Sequence, residues 1–183
     1  MKILVIGDTH GKLNKVRDIF PRLTNIDLIV HTGDFIGDGQ KLEKEFGIPV
    51  VAVKGNCDGS YSSDDFETFD TEYGKMMVTH GHMENVNSNF TTLYYKALEN
   101  KCVAVLFGHT HKALIHEEDD IYLVNPGSLT LPRDGTDGSY AVLRTSEDDF
   151  DASVVYYSTV MKTSAKKTQA GFIRNLLNNS DRF

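Results

Sequence analysis

The stretch KILVIGDTHG, residues 2–11, decides the fold. Its first half, KILVI, is a short β-branched run that reads as a strand. Its second half is a turn in which Gly7 and Gly11 flank a carboxylate, a hydroxyl and an imidazole: Asp8, Thr9 and His10. A strand that runs directly into chemically competent side chains suggests an α/β sheet, where ligand sites lie beyond the carboxyl ends of the strands.

The pattern outward from this stretch supports that reading. Residues 12–23 place Leu13, Val16, Ile19 and Phe20 at helical spacing. A strand is expected at 27–31, a short helix at 40–46 and a third strand at 49–55. Strand–helix–strand alternation with short connections means parallel strands and right-handed crossovers. The second half differs. Residues 66–80 read as two strands joined around Tyr73-Gly74, 89–100 as a helix, and 102–109 as an apolar strand. Residues 113–125 read as a hairpin turning at Asp119-Asp120. Strands at 139–145 and 152–158 follow, and Phe172, Ile173, Leu176 and Leu177 form the apolar stripe of a helix over 164–178. The fold class is therefore α/β with α+β character: two mixed sheets packed face to face with helices outside. One domain over residues 1–183 is expected, with 159–183 a basic C-terminal helix or tail that carries Lys162, Lys166, Lys167, Arg174 and Arg182 against Asp181.

Composition excludes several classes of function. The net charge of −7 argues against stable nucleic-acid binding, which needs a basic surface. No apolar run approaches the roughly 20 residues that span a bilayer, so no membrane association is expected. The N-terminal apolar run, Ile3 to Ile6, is too short for the core of a signal peptide, and a cytoplasmic location is expected. The two cysteines, Cys57 and Cys102, form no CxxC pair and are expected as free thiols.

Five expected strands end in a glycine-flanked Asp, Asn or His. The positions are Asp8 and His10, Asp34 after Gly33, Asn56 after Gly55, His80 and His82 around Gly81, and His109 and His111 after Gly108. Carboxylate and imidazole together suit Zn²⁺, Mn²⁺, Fe²⁺, Co²⁺ or Ni²⁺, and the lack of thiolate argues against copper(I) and iron–sulfur. Alternate residues of extended chain point the same way, so the DxH and HxH spacings are expected to address one cleft. Leaving His82 aside, the seven donors exceed one tetrahedral ion and suit two ions that share a carboxylate.

Asp8-Thr9-His10, Gly33-Asp34, Gly55-Asn56, His80-Gly81 and Gly108-His109-Thr110-His111, followed by Asn125-Pro126-Gly127-Ser128, resemble the calcineurin-like metallophosphoesterases. The nearest branch is that of small bacterial and archaeal phosphodiesterases, which share their fold with a subunit of the eukaryotic retromer. The resemblance spans roughly residues 1–158 and implies a four-layer αββα sandwich. It places Asp8, His10, Asp34 and His111 on a first divalent ion; Asp34 bridges to a second, completed by Asn56, His80 and His109. Mn²⁺ heads the implied ions, with Ni²⁺, Co²⁺, Fe²⁺ and Zn²⁺ also compatible. The implied reaction is hydrolysis of a small phosphodiester by a hydroxide that bridges the ions. Two carboxylates and a hydroxide against two divalent ions leave a small positive excess, complementary to a diester monoanion; a monoester dianion also satisfies it. A scaffold of the same fold is the alternative from another class, and the family allows a homodimer.

Many relatives carry His directly after the Asn. Here that position holds Cys57, a poor proton donor at neutral pH beside an imidazolium. Cys57 reads mainly as structural, with substrate contact as the other role. His82 is the catalytic candidate, for proton delivery or phosphate contact, or else it orients a ligand. Arg133 is a candidate for a substrate oxygen, or else a loop arginine in solvent. His31 reads as a satisfied core histidine and His116 as a surface one.

Overall fold

The computed structural model describes residues 1–59 and 66–162. In chain order they form β1 (Lys2–Ile6), α1 (Asn14–Ile19), β2 (Leu28–His31), α2 (Ile36–Phe46), β3 (Val50–Ala52), β4 (Phe66–Asp70), β5 (Lys75–Thr79), α3 (Thr91–Glu99), β6 (Ala104–Phe107), β7 (Ala113–Glu118), β8 (Ile121–Pro126), β9 (Ser139–Thr145) and β10 (Phe150–Tyr156). One sheet has the order β10-β9-β1-β2-β3 and the other β4-β5-β6-β8-β7. Both are mixed. β1, β2 and β3 are parallel, and so are β5, β6 and β8, while β9, β10, β4 and β7 run antiparallel to their neighbours.

Strand alternation explains the layering. Ile3 and Val5 of β1 turn toward the second sheet and join Met76, Val78, Leu106 and Val124 in a core between the sheets. Leu4 and Ile6 turn the other way and pack with Val16 and Ile19 of α1 and Leu42 of α2. On the far face of the second sheet, Met77, Val105 and Leu123 pack with Leu93 and Ala97 of α3. The result is the expected four layers, α-β-β-α. Each fully buried aliphatic side chain contributes about 1.5–3 kcal/mol, so the three cores hold the layers together. Parallel β1 and β2 in one sheet, and β5 and β6 in the other, bring the loops that follow them to one shared edge.

Several boundaries differ from the sequence expectation for identifiable reasons. The first helix stops at Ile19 and continues as a 3₁₀ turn over Phe20–Arg22, where Pro21 removes a backbone donor. α2 begins at Ile36 rather than at 40. Gly37 and Gly39 make that turn look like a loop, yet Gly39 is what lets α2 lie against β3, since a Cβ there would stand 3.0 Å from Ala52 Cβ. The turn at Asp119 and Asp120 is as expected, with both residues at positive φ. Helical backbone resumes at 157–162, and the helix expected at 164–178 lies outside the described residues. No helix among the described residues is long and apolar enough to cross a membrane.

Candidate metal centre

Backbone bonds pair the loops after β1 and β2, and those after β5 and β6, before any side chain is considered. Thr32 N–H donates to Ile6 O at 2.9 Å, Asp8 N–H to Gly33 O at 3.0 Å and Gly108 N–H to His80 O at 3.1 Å. The glycines permit this closeness. A Cβ on Gly55 would stand 2.2 Å from Asp34 Oδ1, and one on Gly33, already at φ 105°, would stand 2.6 Å from His80 Nδ1.

Asp8, His10, Asp34 and His111 each offer a donor atom, and the four atoms lie within 4.8 Å of one another. His111 Nε2 is 3.4 Å from Asp8 Oδ1 and 3.3 Å from His10 Nε2, and His10 Nε2 is 3.6 Å from Asp34 Oδ2. Beside them lies a second group. Asn56 Oδ1 is 3.1 Å from His80 Nε2 and 3.0 Å from His109 Nδ1, and His80 Nε2 is 3.4 Å from Asp34 Oδ1. Asp34 therefore turns one carboxylate oxygen to each group.

The two-residue spacings work differently from the expectation of extended chain. Asp8, His10, Asp34, His109 and His111 all have left-handed backbone, with φ between 48° and 67°. Such a conformation costs roughly 1–2 kcal/mol for each non-glycine residue and is concentrated at functional sites. It brings Asp8 and His10 into one group. It also separates His109 and His111, which join different groups.

The donor chemistry fits divalent cations. His111 Nδ1–H donates to Leu131 O at 2.6 Å, and His80 Nδ1–H to Thr32 O at 2.9 Å. Carbonyls only accept, so these bonds set the tautomers and leave the Nε2 lone pairs aimed inward. His80 Nε2 then faces two further acceptors, Asn56 Oδ1 and Asp34 Oδ1. Lone pairs converging from three sides repel one another unless a cation stands between them. Burial would lower the His111 pKa, but the bond to Asp8 and its charge outweigh burial and raise it. Asp34 is likewise held low: burial opposes this, but the charge of His80 and the Cys57 N–H, which donates to Asp34 Oδ1 at 2.9 Å, prevail. Burial, then the charge of His80, lowers His109.

Residues outside the expected donor set hold these donors in place. Ser128, fully buried, donates to Asp8 O at 3.0 Å and accepts from the amides of Thr130 and Leu131. Asn125 Nδ2 donates to Gly108 O at 2.8 Å and to Thr110 Oγ1 at 3.1 Å. The Asn-Pro-Gly-Ser segment thus braces the two ligand-bearing turns. Asp58 Oδ2 accepts from Phe35 N–H and Gly55 N–H, and its Oδ1 from Ile36 N–H, so it caps α2 from a distant loop. Buried His31 bonds Thr9 Oγ1, whose hydroxyl donates to Asp38, and burial lowers its pKa to about 4. It is the satisfied core histidine expected, and His116 is exposed as expected. The Asn-Pro-Gly-Ser segment was visible in the sequence, but its bracing role and that of Asp58 lie in hydrogen bonds between loops distant along the chain.

The remaining candidates sort by position. The His82 ring is 5.2 Å from that of His80 and 6.1 Å from that of His109, at the border of the second group. Arg133 is exposed; its backbone N–H donates to His111 O, which keeps the residue beside the first group. Cys57 is a free thiol whose Sγ accepts from Asn56 Nδ2 at 3.5 Å, turning the Asn56 carbonyl oxygen toward the imidazoles. Burial, then Asp34, pushes its pKa up to about 11, so at neutral pH it is neither nucleophile nor ready acid.

Known proteins resemble this chain over most of its length. A family model described as the calcineurin-like phosphoesterase superfamily domain matches residues 1–148. The probable metallophosphoesterase YsnB of Bacillus subtilis is 34% identical over 158 residues, which cover 86% of this chain and 90% of the relative. The phosphodiesterase MJ0936 of Methanocaldococcus jannaschii is 29% identical over 146 residues, covering 69% of this chain and 83% of the relative. A predicted phosphoesterase from Streptococcus pneumoniae superposes with a TM-score of 0.72 at 28% identity, over 86% of this chain and 90% of that one.

Proposed function

The chain belongs to the calcineurin-like phosphoesterase superfamily, and from that premise we propose that it is a dinuclear-metal phosphodiesterase acting on small substrates. Metal-dependent hydrolysis of phosphoesters is what its relatives are named for. The observation that carries the two-ion reading is Asp34, with Oδ2 toward His10 and Oδ1 toward His80. Asp8, His10 and His111 would hold one ion beside Asp34, and Asn56, His80 and His109 the other. Mn²⁺ is the first choice of ion.

When bound, two divalent ions supply Lewis acidity, lowering the pKa of water and drawing charge from the phosphoryl oxygens. The protein's own residues do the rest. Thr32 O and Leu131 O fix the imidazole tautomers, and the Cys57 N–H holds one oxygen of Asp34. To His82 we assign proton delivery or phosphate contact, supported by its ring bordering those of His80 and His109, with both ring nitrogens shielded from solvent until a substrate is bound. To Arg133 we assign a substrate oxygen, supported by its N–H bond to His111 O. No His follows Asn56, so a departing oxygen at that position lacks an imidazolium donor.

The test is metal analysis of the purified protein together with hydrolysis of bis(p-nitrophenyl) phosphate under Mn²⁺, Ni²⁺, Co²⁺ and Zn²⁺. We expect metal-dependent turnover that exceeds p-nitrophenyl phosphate hydrolysis under the same ion. Preference for the monoester makes the protein a phosphomonoesterase. No metal-dependent turnover makes it a scaffold.

A further inference from the structure

Phe35 follows Asp34 directly, and its backbone, held by the Asp58 carboxylate, is in an unusual conformation for so bulky a residue. Gly33, Asp34 and Phe35 are three consecutive residues at positive φ. At φ 75° and ψ 62°, Phe35 is left-handed, a region that glycine, asparagine and aspartate tolerate and a bulky aromatic residue rarely enters. It is also 40% exposed and belongs to none of the three hydrophobic cores. It heads α2, where a side-chain oxygen would be favoured, yet Asp58 supplies that cap instead. Single exposed apolar residues are ordinary on a surface. One held in strained backbone by a neighbouring loop, at the rim of a reactive site, is a different case, because such residues cluster at functional sites.

The surroundings of the ring suggest its use. It lies edge-on to His10, with centroids 5.7 Å apart at 65°. It also lies over Gly11, where a Cβ would stand 3.6 Å from Phe35 Cε1. Gly11 opens a groove of about 330 Å³ lined also by Lys12, Leu13, Asn14, Lys15 and Thr130. The metal centre, the aromatic ring and the groove thus follow one another along the surface, joined at His10 and Gly11. Lys12, exposed at the groove, suits the anionic or polar remainder of a substrate. We propose that Phe35 is the platform on which a flat aromatic ester group of the substrate stacks beside His10 and Gly11, with the groove beyond Gly11, which Phe35 does not itself line, for the polar remainder. The substrate class is a phosphodiester bearing an aryl or nucleobase-containing group on one ester oxygen. This rests on the phosphodiesterase reading above and adds the specificity that the metal ligands cannot supply.

The test is equilibrium binding, by calorimetry on the full chain with Mn²⁺, of non-hydrolysable phosphonates: phenylphosphonate, methylphosphonate and the methylenephosphonate analogue of adenosine 5′-phosphate. We expect the phenyl ligand to bind about tenfold tighter than the methyl one, equivalent to about 1.4 kcal/mol and within the range of aromatic stacking. That ratio should fall to about twofold in Phe35→Leu and Phe35→Asn and be retained in Phe35→Tyr and Phe35→Trp. Phe90→Leu, in the separate cleft near Thr110, should leave it unchanged. A Phe35-dependent gain larger for the adenosine ligand identifies a nucleobase; one confined to the phenyl ligand identifies an aryl group; both uphold the platform. Equal losses for methyl and phenyl ligands in Phe35→Leu, or a ratio that responds to Phe90 instead, overturn it. Diester turnover reports separately: phenyl discrimination without turnover would refute the hydrolase reading alone, and turnover without discrimination the platform alone.

Discussion

Replacing Asp58 with alanine should destabilise the protein and loosen the candidate metal centre together. The carboxylate accepts three backbone N–H bonds, from Phe35 at 2.9 Å, Ile36 at 2.8 Å and Gly55 at 2.8 Å. Two of these amides open α2, and the third immediately precedes Asn56. Bonds to a charged acceptor contribute about 1.5–3 kcal/mol each when well shielded. Two of the three here are only partly buried and one is exposed, and the three are coupled, so they do not add. A loss of about 3 kcal/mol is expected, which for a chain of this size lowers Tm by about 6–12 °C. Asp58→Asn keeps one acceptor oxygen and sets an amide donor against the remaining N–H groups, so it should fall between the two. Thermal melts of both variants measure the stability. Titration with Mn²⁺ followed by calorimetry measures the site, where the ion beside Asn56 should bind about tenfold more weakly, the scale of effect seen when outer hydrogen bonds to ligands are removed. A Tm for Asp58→Ala within about 1 °C of the parent would refute the view that this carboxylate ties α2 to the Asn56 loop. Normal stability with weakened ion binding would mean that it positions Asn56 without supporting the helix.

Four further outcomes follow from the same structure. Buried His31 has its folded pKa depressed to about 4 by burial, so the unfolded chain binds more protons between that value and about 6.5; its neutral form therefore favours folding above pH 6.5, and roughly 3 kcal/mol is lost as pH falls toward 4. Urea melts across that range should show a shallower fall for His31→Gln, and parallel curves would refute the assignment. Ser128→Ala strands two amides and frees the Asp8 carbonyl, so it should cost about 1–3 kcal/mol and reduce metal content, as thermal melts and metal analysis would show. His82→Ala should cut turnover about tenfold or more with metal content unchanged; loss of metal instead would assign His82 to holding a ligand. Rates across diesters of graded leaving-group pKa should fall steeply as that pKa rises, because Cys57 stands where an imidazole donor would serve; a flat dependence with chemistry rate-limiting would contradict this.

Much of the fold was legible because its signals are local. The continuous apolar runs in KILVI and AVLF marked strands, and the glycine-bounded turns marked where they end. β9 matches its expected span, residue for residue. α2 was shortened by expectation because Gly37 and Gly39 are poor helix formers, and its true start depends on an acceptor more than twenty residues away. The seven candidate donors stood out one by one in the sequence, since each follows a strand. Their convergence through extended chain was misjudged, because left-handed φ values arise from the packing of one loop on another.

The sequence by itself determined which side chains can act: two carboxylates, an amide and four imidazoles at strand ends, with cysteine after Asn56. Residue type and short-range periodicity are enough for that. Only the tertiary structure decided how they divide. It sends His111 to Asp8 and His109 to Asn56, aims the Nε2 lone pairs through Thr32 O and Leu131 O, and sets the His109 amide against Asp8 from 101 residues away. It also places the exposed ring of Phe35 beside His10. The reason is physical. A hydrogen-bond partner, or a backbone angle forced by a neighbouring loop, belongs to the packing of distant segments and has no local signature in the chain.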